Sequence, residues 1–546
     1  MNTQRLACRS AALLLTTTVL VSCAGEPRAT PSHNQPPRVV RSITTTEHRE
    51  VTRDNPNTDH RTDTHADART THAASTPVAP ALTDPPGTIT LDGDTRDWPA
   101  ATVALSTPEH AFFRFMVADQ RYTLQAADHT TVIMLDADND AATGKPVTLG
   151  DATLGVDIEA QFSPMGESGK LQRGTTVLTY DGPSPTRANA YDWDLACTPT
   201  YASDWYEARI TRTPRTEPSC TKKGLLSSGT SRGVVATLDT AGTPDAWSPV
   251  FALDNPPAKP ETGANAAIPE KPEHAVRVVS YNVLRSSPNA KPQVFQRILG
   301  ALQPDIVLVQ EWESHSESEI ADWFNSMMPD DKRSWNIVAI ADTVQNGGGV
   351  AVVSRYPLHA ALDARPTVPA GVNAGKPIRA AVAIADAPSG PIILSSTHLK
   401  SGGASGSPED VRRTEEARAL NAIISAKAPA GAWRIIAGDM NLVGSREPID
   451  ILTSKLDADH SDLSPAPTRT LGDATYLTWS ENGNAFTPGR LDWLLYSDSN
   501  ARAANAFVLD TSRLSDESLS RAGLTTTDTA QATDHMPLVV DLVAVK

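Results

Sequence analysis

Pro304-Asp305-Ile306-Val307-Leu308-Val309-Gln310-Glu311 is an apolar strand signal that ends abruptly on an amide and a carboxylate. Upstream, Val276 to Ser280 reads as another apolar strand, running into Tyr281-Asn282, and Gln293 to Leu302 between them reads as an amphipathic helix. Strand, helix, strand predicts two parallel neighbours, because a crossover of that length returns the chain in the same direction. The polar ends of both strands then share one sheet edge.

The arrangement recurs downstream. Ile392 to Ser395 ends at Thr397-His398, and a helix follows with Ser407 as N-cap, Pro408 in its first turn, then Glu409 and Asp410. Its apolar face is Val411, Ala417, Leu420 and Ile424. Trp433 to Ile436 forms a strand ending at Gly438-Asp439-Met440-Asn441, and two further strands are expected to carry Arg490-Leu491-Asp492 and Asp534-His535. Any one of these groups alone reads as a turn residue or helix cap. Together they offer two histidines, four acids and two asparagines at strand ends of one domain, where α/β proteins place their sites.

The ordered set Ser280-Tyr281-Asn282, Pro304 to Glu311, Thr397-His398-Leu399-Lys400, Gly438-Asp439-Met440-Asn441, Gly489-Arg490-Leu491-Asp492 and Thr533-Asp534-His535-Met536-Pro537 resembles the endonuclease/exonuclease/phosphatase family. That family includes pancreatic-type deoxyribonucleases, abasic-site endonucleases, sphingomyelinases and inositol-polyphosphate phosphatases. The resemblance covers residues 274–546 and implies an α/β (α+β) four-layer sandwich of the deoxyribonuclease I type. It also implies metal-dependent hydrolysis of a phosphoester, which needs charge neutralisation, an activated water and a stabilised leaving oxygen. Carried over residue by residue, Glu311 is the main magnesium (or manganese) ligand, helped by Asn282, in a hydrated oxygen site. Asp534 is a second metal ligand. His535 is the general base, oriented by Asp492. Asp439 and Asn441 lie against the attacking water and phosphoryl oxygens, and His398 donates to a non-bridging oxygen or assists the leaving group.

Substrate class is less constrained. Arg379 and Lys400, with Arg355, Arg412 and Arg413, flank the motifs and could hold phosphates, although each alone reads as a surface charge. Thr487-Pro488-Gly489-Arg490-Leu491-Asp492 departs from the Trp-Cys-Asp-Arg of inositol-phosphatase relatives. Met327, Met328 and Trp335 are a faint candidate for the membrane-contacting loop of a sphingomyelinase, and read better as core. A nuclease acting on DNA or RNA leads; a hydrolase of phospholipid, sphingomyelin or small phosphoesters comes second. A surface binding protein with an inert α/β domain is the rival from another class.

Working outward, the chain has 546 residues, too many for one ordinary core. Its 39% hydrophobic and 21% charged residues exclude a collagen, a coiled coil and a multi-span membrane protein. A net charge of −16 argues against coating nucleic acid indiscriminately, but not against gripping a few phosphates locally.

Residues 86–254 show short alternating strands and no long helical period, which predicts an all-β sandwich. Leu91-Asp92-Gly93-Asp94 and Asp97-Trp98-Pro99 resemble the start of carbohydrate-binding-type sandwich modules, so a glycan is a candidate ligand. Asp136, Asp138 and Asp140 on one turn, with Asp157 and Glu159 beyond, could hold calcium, or form an acidic hairpin that binds nothing. Residues 255–273 are Pro-rich and mark a linker.

At the N-terminus, Arg5 and Arg9 precede an apolar run from Ala11 to Val21, too short for a permanent span. Leu20-Val21-Ser22-Cys23 resembles a bacterial lipobox, so residues 1–22 read as a lipoprotein signal peptide with Cys23 lipidated; an ordinary signal peptide is the alternative. Residues 23–85 are rich in Thr, Pro, Asp, Arg and His and read as a disordered tether. The expected location is extracytoplasmic, membrane-anchored through the lipid, at the cell surface or in the outer membrane or periplasm, with no obligate protein partner. Outside the cytoplasm, Cys197 and Cys220 are expected to pair in a disulfide.

Overall fold

The computed structural model describes residues 89–99, 102–117, 123–215, 226–330, 332–340 and 348–545. The signal segment, Cys23, the tether and Cys220 lie outside the described residues. Among those described, no helix is long and apolar enough to cross a membrane. Cys197 is a buried free thiol, so the structure supports no disulfide for it.

The N-terminal half is the expected β-sandwich. A four-stranded sheet (Ala104–Ser106, His110–Met116, Trp205–Thr211, Ala196–Thr198) faces a seven-stranded one built around Gly229–Leu238, Thr130–Asp136, Ile158–Phe162 and Thr175–Tyr180. Phe113, Phe162, Trp193, Tyr206 and Ile158 fill the space between them. Period-2 alternation supplies this core from both sheets.

In the C-terminal half, two further sheets pack face to face with helices outside, which gives the four layers expected. The first sheet runs Asn336–Ile340, Val350–Ser354, Ile306–Gln310, Val276–Asn282, Leu538–Ala544, Ala501–Val508, Arg469–Thr470. The second runs Leu358–Ala360, Ala380–Ala387, Gly390–His398, Trp433–Asp439, Asp492–Tyr496, Ser464–Pro465. Val278, Leu308, Val352 and Val540 from one sheet meet Ala383, Leu394, Ile435 and Leu494 from the other. On the outer faces, Phe295, Ile298, Ile320 and Phe324 cover the first sheet, while Ala417, Leu420, Ile424 and Ile449 cover the second.

Both parallel pairs are present: Val276–Asn282 with Ile306–Gln310, and Gly390–His398 with Trp433–Asp439. The helix between the strands of the second pair spans Pro408–Lys427, and its N-cap Ser407 accepts the Asp410 N–H at 3.3 Å. Asp534-His535 differs from expectation. It lies in the turn between a short helix, Asp528–Ala532, and the strand that starts at Leu538. Asp492 likewise opens its strand rather than ending it. Both strands are antiparallel to their neighbours, so their beginnings reach the same edge as the ends of the parallel ones.

The two halves are one body, not beads on a string. The Pro-rich stretch after Asn255 runs as a strap over the C-terminal half: Ala264 bridges Leu514, Ala266 and Ile268 pack on the core, and Arg277 donates to the Pro269 carbonyl at 2.7 Å. Leu91 pairs with Thr475, and Ile89, Leu91, Trp98 and Phe112 share a small core with Leu477. Between the halves, Arg209 of the sandwich grips Asp473 at 2.6 and 2.7 Å and Asp194 at 2.8 Å. Arg513 closes the cluster by meeting Asp194 at 2.7 Å and Glu261 at 2.6 Å.

Candidate active site

Register decides the site. His398 stands opposite Asp439, and Asp439 opposite Asp492, on three adjacent strands of the second sheet. Asn282 stands opposite Gln310 on the first sheet, one residue before Glu311. The two sheet edges converge, and the polar ends meet between them.

Gly438 makes the approach possible: with φ at +143°, a Cβ there would lie 1.9 Å from the Thr397 carbonyl oxygen. Glu311 (φ +63°) and Asn441 (φ +49°) hold left-handed backbone without being glycine, at a cost on the order of 1 kcal/mol each. Such strain concentrates where geometry serves a site.

Asp439 is the hub. Its Oδ2 accepts from Asn282 Nδ2 at 3.2 Å and stands 3.5 Å from His398 Nε2 and 3.8 Å from His535 Nε2. Its Oδ1 accepts the Asn441 N–H at 3.0 Å. Asn282 Nδ2 also donates to Glu311 Oε1 at 3.1 Å, while its Oδ1 accepts the Leu284 N–H. Asn282 therefore ties the two acids together as a donor. Among these acids Glu311 is the most open, at 17% side-chain exposure against 4% for Asp439 and 1% for Asp492.

His535 Nδ1 meets Asp492 Oδ2 at 2.7 Å, leaving Nε2 directed towards Asp439. Burial alone would depress this imidazole, but Asp492, then Asp439, raise it. His398 is the opposite case: burial, then the positive charges of Arg379, His535 and Lys400, hold it well below the ordinary value, so it is neutral. Asp439 is pushed up to about 7 by burial and by Asp492 and Glu311, against the opposing pull of His535. Three carboxylates crowd one buried space with too few cations.

Ligand atoms of Glu311, His398 and Asp439 lie within 4.8 Å of one another. A divalent cation fits this donor set: carboxylate oxygens that repel each other, one of them open to the cleft, with the buried His398 Nδ1 and Asp492 Oδ1 lacking partners. Asp534 is not brought into this group. Trp479 Nε1 donates to its Oδ2 at 2.9 Å and Thr533 Oγ1 to its Oδ1 at 3.1 Å, contacts that anchor the turn carrying His535. Asn441 spends its amide N–H on the Leu399 carbonyl at 3.2 Å.

The phosphate-binding candidates divide. Arg379 donates to the Leu399 carbonyl at 2.6 Å, and its charge reaches Asp439 and Glu311. Lys400 Nζ donates to Ser401 O at 2.8 Å on an exposed part of the same rim. Arg413 and Arg355 are structural: Arg413 is fully buried on the Lys400 and Gly402 carbonyls, and Arg355 stacks 3.9 Å over Trp335. Arg412 is paired to Glu416 at 2.8 Å. Met327 and Met328 pack against the core with buried Trp335 and form no membrane loop.

In the sandwich, Asp136 and Asp138 come together with Asp157. Asp140 is directed otherwise: its backbone N–H donates to Asp136 and Asp138, and its carboxylate accepts from Ala142. Asp136 is already paired with Arg232 at 2.8 Å. The Asp92-to-Trp98 motif is structural, since Trp98 Nε1 and the Gly93 N–H both donate to the buried Glu207.

Sequence reasoning missed Thr478 and Trp479, which sit in no motif. Thr478 Oγ1 accepts the N–H groups of Leu491 and Asp492 at 3.0 and 2.9 Å. Trp479 pairs with both Gly489 and His535. Only their position in the fold marks them.

Residues 279–535 match the Endonuclease/Exonuclease/phosphatase family. Among solved structures, the 3′ phosphatase NExo from Neisseria, bound to a product DNA hairpin, is 18% identical, with 49% of this chain and 100% of that one covered and a TM-score of 0.36. An AP endonuclease from Archaeoglobus fulgidus is 13% identical over 50% of this chain and 100% of that one, with a TM-score of 0.33. Sphingomyelinase C from Streptomyces griseocarneus is 17% identical over 49% of this chain and 99% of that one, with a TM-score of 0.30. No curated protein matches the sequence. Residues 279–535, a little under half of the chain, are thus similar to the Endonuclease/Exonuclease/phosphatase family, and they fold as the α/β sandwich described above.

Proposed function

We propose that this protein is an extracytoplasmic, lipid-anchored phosphodiester hydrolase that needs a divalent cation, magnesium or manganese, and acts on nucleic acid. The observation that carries the reading is the Asp492–His535 pair, closed at 2.7 Å, beside the Glu311–Asn282–Asp439 cluster. A cation at Glu311 and Asp439 would offset phosphoryl charge and the mutual repulsion of the acids.

The chain's own residues account for the proton. Asp492 holds Nδ1–H and fixes the tautomer, so Nε2 takes the proton of the attacking water. The new P–O bond forms on one side as the bond to the leaving oxygen breaks on the other. Neutral His398, 3.5 Å from Asp439, is placed to donate Nε2–H to a phosphoryl oxygen. Arg379 and Lys400 at the rim support a substrate with phosphates beyond the scissile one.

The test is nicking of supercoiled plasmid by the purified protein in magnesium, in chelator, and with His535→Ala. Nicking that needs both cation and His535 supports the nuclease. Cleavage of sphingomyelin or a simple phosphodiester without nicking keeps the mechanism and moves the substrate. Silence on every phosphoester from folded protein leaves the binding-protein reading.

A further inference from the structure

The hairpin Thr478–Asp492 joins the catalytic pair to the sandwich. At its base, Trp479 and Gly489 exchange backbone hydrogen bonds at 3.0 Å each. Thr478 accepts the Met536 N–H at 2.8 Å through its carbonyl, and the Asp492 N–H through its hydroxyl. Ser480 N–H donates to the Asp534 carbonyl at 2.9 Å. One short segment thus carries Asp492 and, across a bridge, the backbone of His535.

Its tip is held by the other half of the molecule. The Gln125 side chain clamps Thr487 twice, Nε2 donating to Oγ1 at 2.8 Å and Oε1 accepting the N–H at 2.9 Å. The Tyr191 hydroxyl donates to the Phe486 carbonyl at 2.9 Å and accepts the Glu481 N–H at 3.3 Å. Thr175 N–H donates to the Ala485 carbonyl at 2.7 Å, beside Gly174, where a Cβ would lie 2.3 Å from that oxygen. Burial raises the Tyr191 hydroxyl above its ordinary value, with Asp534 adding to the effect, which keeps it a donor.

We propose that the β-sandwich is a positioning element of the catalytic centre, and that Gln125 and Tyr191, by clamping the Thr478–Asp492 hairpin, set the Asp492–His535 contact. The inference rests on the hydrolase reading for its kinetic consequence, but the clamp itself is testable without activity. A hairpin of this length held only at its base would sample displaced positions, and a misplacement of about 1 Å can cost about a hundredfold in rate. Neither residue reaches the reacting atoms. They are positioning residues, and the sandwich is integral to the enzyme.

The experiment compares wild type with Gln125→Leu/Tyr191→Phe in the full chain, by steady-state hydrolysis of plasmid and bis(p-nitrophenyl) phosphate and by amide hydrogen exchange. The expected result is a kcat about 10- to 100-fold lower with KM within about twofold, and faster exchange at Trp479 and at Asp534 to Met536. Gln125→Glu in place of Gln125→Leu, whose carboxylate can accept both the Thr487 N–H and the Thr487 hydroxyl proton, should restore most of kcat, and Asp245→Ala, exposed on the strand Pro244–Trp247 at the opposite edge of the seven-stranded sheet, should leave it unchanged. A loss explained by the unfolded fraction alone, or unchanged kcat and exchange in the double variant, would overturn the proposal. If even wild type hydrolyses nothing, the hydrolase reading fails, and exchange decides the clamp: loosening at both the hairpin and Asp534 to Met536 upholds it, loosening at the tip alone sinks it.

Discussion

Two buried clusters of charge, built from the same residue types, behave in opposite ways. In the interface between the halves, burial alone would raise Asp473, but Arg209 and Arg513 pull it well below the ordinary carboxylate range. Asp194 shifts in the same direction for the same reason. In the candidate site, burial raises Asp439 to about 7, and its acidic neighbours add to that. In one cluster two arginines lie against Asp194 and Asp473; the other is short of cations. Burial costs both of them solvation. The first cluster ties the sandwich strand Trp205–Thr211 to turns of the C-terminal half, whereas the second leaves Glu311 open to the cleft.

The largest expected break in this comparison is chemical. His535→Ala should lower metal-dependent phosphodiester hydrolysis by about 10²- to 10⁴-fold while the melting temperature stays near wild type. A drop below tenfold would remove His535 from the general-base role. In the interface cluster, Arg209→Leu leaves Asp194 and Asp473 with Arg513 as their one remaining arginine and should cost about 3–5 kcal/mol in chemical denaturation. Arg209→Leu with Asp473→Leu should recover much of that; no recovery would mean the arginine acts through packing rather than charge.

Glu311→Gln removes one of the crowded acids. Wild type should gain about 2.7 kcal/mol of stability at a hundredfold excess of magnesium over Kd, and the variant little of it. Equal stabilisation of both proteins would place the cation elsewhere. The smallest effect concerns a buried acid of the sandwich. Burial pushes Glu207 up to about 8, despite N–H donation from Trp98 and Gly93, with Asp92 and Asp97 adding to the rise. A raised acid keeps its proton in the folded state, so its contribution is complete below about pH 4.5 and is lost as pH rises towards 8. Glu207→Gln should flatten the fall in stability across that window, which for one group reaches at most about 1.4 kcal/mol per pH unit. An unchanged slope would assign the titration to Asp92, itself raised to about 6 by burial.

Much of the catalytic domain was legible in the chain. Ile306 to Val309 ending at Gln310-Glu311 predicts a parallel strand with a polar end, and the structure pairs it parallel to Val276–Asn282. Asp492 and Asp534-His535 were expected at strand ends; instead Asp492 opens its strand and Asp534-His535 precedes one, because a periodic apolar run does not state its direction in a sheet. Asp534 was expected at the metal. Its neighbour His535 is, however, turned towards Asp439, and adjacent side chains in an extended turn point apart. Asp140 fell out of the acidic trio for a similar reason, and Asp157, twenty-one residues after Asp136, took its place.

Local sequence sufficed wherever the information is local: apolar runs, the Ser407 cap, and the order of polar motifs that sets residues 274–546 apart. Those features depend on neighbours within a few residues, where periodicity and capping chemistry act. Tertiary structure alone decided which carboxylate meets which imidazole, and that the Pro-rich stretch is a strap. It alone brought Gln125 and Tyr191 to a hairpin some three hundred residues away. The reason is physical. Desolvation and Coulomb energies depend on distance in space, and separation along the chain says little about which charges will share a buried volume.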